Sequence, residues 1–118
     1  MTQPELRRSL RYDVQLPCQA SSPFRAFDRL RGVTANVSRN GLLLRLEGDP
    51  APRAMPQLGH AARILLRLPG GAESRARFVE CLGRVVRVEE REDARAVAFE
   101  FRRFQFSEGE PPADDAAE

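Results

Sequence analysis

The sequence predicts an all-β protein, a small six-stranded antiparallel β-barrel. Apolar residues recur at every second position in several short runs, and this is the period of a β-strand. Clusters of Gly, Pro and Asn separate the runs, and no amphipathic helix of about ten residues or more can be drawn. A sheet of this size would expose two edges, so we expect it to close into a barrel.

The N-terminal half supplies three of the strands. Apolar residues alternate from Val14 to Ala20, which predicts the first strand. Residues 30–46 contain two further runs, and the first of them is expected to turn Val33, Ala35 and Val37 toward the core. Asn40-Gly41 lies between the two runs and is a pair that tolerates positive φ, so the segment is predicted to be a tight β-hairpin.

The C-terminal half supplies the other three strands. The first covers residues 60–68, and a longer one covers residues 75–89 with Gly83 as the point where it bulges or bends. The last covers residues 94–101, with Val97, Phe99 and Phe101 inward. Phe104 and Phe106 are expected either to extend this strand or to fold back as a lid.

The chain of 118 residues has the length of one domain, with distinct ends. We divide it into a flexible basic N-terminal arm at 1–12, the barrel at 13–106 and a disordered acidic tail at 107–118. All nineteen basic residues are arginine. Residues 1–45 hold eight arginines and three acids, a net charge of +5, whereas residues 105–118 hold five acids and no arginine. An anionic partner is therefore expected for the N-terminal part.

Composition argues against several classes of function. No apolar run reaches the roughly 20 residues of a membrane span, and residues 1–5 do not resemble a secretory signal. We therefore expect a cytoplasmic bacterial protein without membrane insertion, present as a monomer or weak dimer. Cys18 and Cys81 lack partners at metal spacing and are expected to be small buried residues. No nucleophile with a base, carboxylate pair or P-loop is recognisable, so neither an enzyme nor a metal or cofactor site is predicted.

The hairpin carries the first candidate site. With Val37 inward, Asn36 and Ser38 point outward side by side, close to Gly41, where the missing side chain lets another molecule approach the backbone. On these residues alone two interpretations stay open: the polar pair binds a ligand, or it only shapes the turn.

The N-terminal arm carries the second candidate site. Arg7 and Arg11 are four residues apart with Arg8 beside the first, and this spacing puts two side chains on one side of either an extended or a helical segment. A guanidinium grips phosphate or guanine with two parallel hydrogen bonds and stacks on flat rings. This spacing by itself is weak evidence for a binding site, because nineteen arginines make it common by chance.

The order of these two motifs resembles the PilZ family. An RxxxR arm precedes a first strand, and N-x-S-x-x-G then follows between two strands; the matching residues are Arg7, Arg11, Asn36, Ser38 and Gly41. The resemblance continues through residues 64–69, 82–88 and 96–100, and covers about residues 5–101. Two features depart from the family: Asn36 stands where many members have Asp, and the acidic tail replaces a common C-terminal helix.

The resemblance implies non-enzymatic binding of the bacterial second messenger cyclic di-GMP. The ligand site would comprise Arg7, Arg8, Arg11, Asn36, Ser38 and Gly41, on the outside of the barrel. Binding would change the conformation and pass a signal to an unidentified downstream protein, as in the control of motility or biofilm formation. The chemistry agrees, since guanine presents N7 and O6 as paired acceptors for an arginine fork.

Two other functions compete with this hypothesis. The first is a PilZ-like protein-interaction module that does not bind the nucleotide, although both motifs are complete here. The second is a small-barrel nucleic-acid binder, which the arginine content permits. Binding a single strand needs exposed aromatic side chains, and the chain has one Tyr and no Trp, so no nucleic-acid partner is predicted.

Overall fold

The computed structural model describes residues 12–47, 55–69, 77–91 and 94–108. They form six strands: β1 (Pro17–Ser21), β2 (Leu30–Val37), β3 (Gly41–Leu46), β4 (Ala61–Leu68), β5 (Arg77–Glu90) and β6 (Arg95–Glu108). The strands pair in the order β1-β2-β3-β6-β5-β4, and β1 also pairs with β4, so the barrel is closed. All of these pairings are antiparallel, which confirms the predicted fold class.

The core lies inside the barrel and is built from alternate residues of every strand. Ile64, Val97 and Phe99 are buried, as their periodicity predicts. The buried cluster comprises Cys18, Ala20, Phe27, Leu30, Leu42, Leu44, Ala62, Ile64, Leu66, Val79, Cys81, Val85, Val97 and Phe99. Both cysteines are reduced and buried within it, as expected.

A β-bulge at Ala35 corrects one sequence-based expectation. Thr34 pairs with Leu44 and Asn36 with the adjacent Leu43, so Ala35 is the extra residue in β2. The bulge reverses the alternation: before it Leu30, Gly32 and Thr34 are buried, and only after it does Val37 pack on the core. The prediction that Val33 and Ala35 face inward is therefore wrong. That Val37 faces inward is right.

Two more irregularities lie in the β5–β6 pair. Leu82 pairs with Arg103 and Gly83 with Phe101, which leaves Arg102 as an extra residue next to the predicted bend at Gly83. Val85 pairs with Phe99 and Arg87 with Ala98, which leaves Val86 extra in β5. Phe104 and Phe106 lie within β6, so they extend the last strand and do not fold back.

The predicted terminal segments fall largely beyond the described residues. Residues 1–11 of the N-terminal arm and 109–118 of the acidic tail lie outside the described ranges. Tyr12, the last residue of the predicted arm, pairs with Val37 at the end of β2. At the other end, β6 continues to Glu108.

Candidate ligand-binding site

The chain is anchored to β2 before it enters β1. Tyr12 and Val37 exchange two backbone hydrogen bonds, of 2.8 Å from the Tyr12 N–H and 2.9 Å from the Val37 N–H. The fully buried Thr34 adds a second anchor, because its hydroxyl donates to the Val14 carbonyl and accepts from the Leu16 N–H at 3.0 Å. Residues 12–16 are therefore held along β2, and Tyr12 lies beside the strand end that carries Asn36 and Ser38.

The β2–β3 turn places these two polar side chains on the outer face. Asn36 pairs with Leu43 across the hairpin, and Ser38 follows the inward-facing Val37. The Ser38 hydroxyl accepts from the Asn40 N–H at 3.1 Å and lies 3.4 Å from the Gly41 carbonyl oxygen, so it does help to shape the turn. The side-chain amide of Asn36, in contrast, makes no hydrogen bond to any residue that the structure describes. It can therefore bind a ligand without losing a partner among these residues.

Gly41 is required where two strands approach each other, and its backbone does not adopt a positive φ. Within the described residues positive φ angles occur at Arg25 and Gly59 alone, so the turn does not use the left-handed region at Gly41. Instead, Gly41 lies against β6. A Cβ there would overlap the carbonyl oxygen of Phe99 and would lie 3.2 Å from its carbonyl carbon. The missing side chain lets two strands approach, and the expectation of a positive φ is wrong.

These residues line a shallow groove on the outer face of the barrel, which we call the Asn–Ser groove. It has a volume of about 230 Å³ and crosses β2, β3, β6 and β5. Asn36, Ser38 and Gly41 form one side, and Arg87 and Glu100 form the other. Sites for drug-sized ligands have volumes of roughly 300–1,000 Å³. The groove by itself is therefore too small to enclose a dinucleotide.

The charges of the groove nearly cancel. Arg87 contacts Glu89, with 2.8 Å from Nε to Oε2, and Glu100 contacts Arg84, with 2.9 Å from Oε1 to Nε. These side chains are between about a third and two thirds exposed, so the ion pairs are screened by water. The described part of the groove thus supplies hydrogen-bonding groups without a large positive charge. An anionic ligand would need further cations.

The six sequence-predicted site residues divide into two groups. Asn36, Ser38 and Gly41 are brought together in the Asn–Ser groove. Arg7, Arg8 and Arg11 lie outside the described residues. Sequence reasoning missed Arg87, which reaches the groove because Ala98 pairs with both Arg87 and Leu43. Alternation around buried Val85 would turn Arg87 inward; the extra residue Val86 turns it outward, and spacing within β5 reveals neither this bulge nor the neighbouring strand.

The cysteines and acidic residues suggest no chemistry of their own. Burial raises the pKa of the Cys18 thiol. The pKa of the Cys81 thiol is raised to about 12, mainly by burial and to a smaller extent by the negative charge of Glu80. Both thiols are therefore protonated at neutral pH. Among the described residues no group of three His, Cys, Asp or Glu side chains is arranged to hold a metal ion. That part of the chain also contains no helix long and apolar enough to cross a membrane.

Comparison with known proteins places the chain in a family. Its residues 5–113 match the PilZ domain, which is most of the sequence. A similar solved structure is the Bacillus subtilis inhibitor of motility MotI/DgrA, with a TM-score of 0.64 and 20% identity over 89% of this chain. This chain corresponds to 45% of the length of that protein, and at this identity the likeness shows a shared fold. No curated protein matches. The chain belongs to the PilZ domain family.

Proposed function

We propose that this protein is a non-enzymatic receptor for cyclic di-GMP. Arg7, Arg8 and Arg11 bind the phosphates and guanines from one side, and Asn36 and Ser38 hydrogen-bond the ligand from the other. Gly41 contributes the close approach of β3 to β6 that shapes the groove between them. The ligand thereby joins the N-terminal arm to the barrel wall. This change of conformation passes the signal to a partner protein.

One observation supports this proposal most strongly, the pairing of Tyr12 with Val37. Consecutive Cα atoms are about 3.8 Å apart, so Arg11 must begin next to the strand end that carries Asn36 and Ser38. Arg7 is four residues further along, within about 14 Å of Arg11 even in an extended chain. The two motifs are thus within reach of one ligand, although 25 residues separate Arg11 from Asn36 in the sequence.

The electrostatics of the groove support the same assignment. Its described ionic side chains form ion pairs, whereas cyclic di-GMP carries two phosphates. The arginines of the arm supply the missing positive charge, and each can make charge-assisted bidentate contacts. The similarity in fold to an inhibitor of motility suggests motility as the process to examine first.

A selectivity measurement tests the proposed function. Cyclic di-GMP should bind at least about tenfold more tightly than cyclic di-AMP, because adenine presents an N6 donor where guanine presents the O6 acceptor, and one bidentate contact distinguishes bases by about 1–3 kcal/mol. Both ligands can be titrated into the full chain in a calorimeter. Equal affinities would reject guanine recognition by arginine. Absence of binding by both would favour the PilZ-like interaction module that does not bind the nucleotide.

A further inference from the structure

One end of the barrel is open and apolar, and we call this opening the end cavity. It has a volume of about 330 Å³. Its lining includes Tyr12, Val14, Leu16, Phe101, Phe104 and Phe106. Phe104 is 44% exposed and Phe106 is 66% exposed, although both are large apolar side chains. Exposed apolar clusters of this kind mark binding surfaces.

The register of β6 turns these phenylalanines into the cavity. Arg102 is the extra residue of a β-bulge, so Phe104 and Phe106 return to the face that Phe101 occupies. They pair with Cys81 and Val79, which are both buried core residues. The rings stack edge to face, with centroids 6.3 Å apart for Phe101–Phe104 and 5.9 Å for Phe104–Phe106. The apolar wall of the core therefore continues without a break to the mouth of the cavity.

Two segments adjoin the cavity, and they differ in whether they contain large apolar side chains that could fill it. Residues 1–11 join the described chain at Tyr12, which lines the cavity, and they contain Leu6 and Leu10. Leu10 is two residues from Tyr12, and Leu6 can reach about 20 Å from it in an extended chain. Residues 109–118 follow the end of β6, but consist of Gly, Glu, Pro, Ala and Asp, without a large apolar side chain. The N-terminal segment is thus the adjoining part of the chain that can fill the cavity.

We infer that Leu6 and Leu10 of the chain's own N-terminal segment occupy the end cavity. The role of this contact in ligand binding rests on the proposed function. Leu6 and Leu10 are four residues apart, as are Arg7 and Arg11, so in a helical turn each pair shares a face. Arg8 would lie between the leucines in a strand but points away from them in a helix, so the helical form is the one with an apolar face and a cationic face. When the leucines occupy the cavity, the arginines are held at its rim.

The rim on that side is also the edge of the Asn–Ser groove. Ser38 lines both the end cavity and the groove. Anchoring the leucines therefore orients Arg7 and Arg11 toward Asn36 and Ser38.

A tethered segment has an advantage over a separate partner. A short linker holds a binding group at an effective concentration in the millimolar range, which a second copy reaches only in concentrated solution. Leu10 is two residues from Tyr12, which itself lines the cavity. We therefore assign the cavity to this segment and not to a second copy of the chain.

A fluorescence experiment in the full-length protein tests this inference without depending on the ligand. The chain contains no Trp, so Phe106→Trp introduces one indole at the mouth of the cavity, at a position that is exposed and tolerant of the change. In this background Leu6→Ser/Leu10→Ser should increase quenching of the indole by acrylamide and shift its emission to the red. Leu58→Ser is the matched control, because Leu58 is 68% exposed near the opposite end of β4.

Each outcome decides the inference. Quenching that rises in the double variant and not in the control, at all protein concentrations, is the expected result. Equal quenching in the double variant and its parent would overturn it. A difference that disappears on dilution, together with a dimer in sedimentation, would assign the cavity to a second copy instead.

A parallel calorimetric titration separates this inference from the proposed function. The double variant should bind cyclic di-GMP about tenfold more weakly, since loss of the anchor lowers the fraction of binding-competent protein. If the parent protein does not bind cyclic di-GMP, the proposed function fails while the quenching result still decides where the leucines lie. If the parent binds and the quenching is unchanged, the inference fails and the proposed function stands.

Discussion

Replacing Arg7 or Arg11 with alanine is expected to weaken cyclic di-GMP binding by about ten- to more than a hundredfold. Each substitution removes a charge-assisted contact worth roughly 1.5–3 kcal/mol, and every 1.4 kcal/mol is a factor of ten in affinity. The effect should be large because the ionic side chains of the Asn–Ser groove are already paired with each other. Calorimetric titration of the variants measures it directly.

Arg31→Ala is a suitable control for this experiment. Arg31 is exposed on β2, five residues before Asn36 and therefore roughly 16 Å from it along the strand. The control removes the same charge without removing a proposed ligand contact, so its affinity should stay close to that of the wild type. Wild-type affinity in both arm variants would contradict the role of the arginines. Equal weakening in all three would indicate only a loss of general positive charge.

Gly41→Asn is expected to lower the stability of the barrel by about 3 kcal/mol, at the upper end of the cost of overpacking, with a fall in melting temperature of roughly 10 °C. The new Cβ would overlap the carbonyl oxygen of Phe99 and would lie 3.3 Å from the Cα of Glu100. These are backbone atoms of β6, so no change of side-chain rotamer relieves the contact. The strands must separate, and the groove beside them is lost as well. Thermal unfolding followed by circular dichroism measures the change.

Gly59→Asn introduces the same side chain at a contrasting glycine. Gly59 has a φ of +89°, and an added Cβ there would meet no atom within 4 Å. Asn is among the few residues that adopt positive φ, so this variant should lose only about 1 kcal/mol. Similar melting temperatures for the two variants would show that β3 and β6 can move apart without cost. That result would contradict close approach as the reason for glycine at position 41.

Much of the barrel could be predicted from the sequence, because its strands are marked by alternating residues. The irregular positions could not. The extra residue Ala35 reverses which side chains of β2 face the core, and no feature of the local sequence marks it. Simple alternation therefore puts Val33 and Ala35 on the wrong face. Thr34 was missed for a related reason: its hydroxyl bonds to Val14 and Leu16, about twenty residues away, and these partners become visible only in the folded chain.

The candidate site, too, could be predicted from the sequence only in part. The outward pair Asn36 and Ser38 follows from alternation around Val37 and from the motif order that the family shares. Gly41 was recognised correctly as special, but the reason lies in the approach of β6, a strand more than fifty residues later in the sequence. Arg87 reaches the groove through its pairing with Ala98 next to a bulge in β5. Long-range register of this kind cannot be read from spacing within one segment.

The position of the ligand on the barrel can be read from the backbone amides during a titration. Proton–nitrogen NMR spectra would be recorded while cyclic di-GMP is added to the full chain. The largest shifts are expected at Asn36, Ser38 and Gly41, together with Arg7 and Arg11. A second concavity of about 280 Å³, lined in part by Arg31, Glu47 and Arg67, is the natural alternative. Shifts confined to that concavity, with the amides around Ser38 unchanged, would show that the ligand does not bind at the Asn–Ser groove.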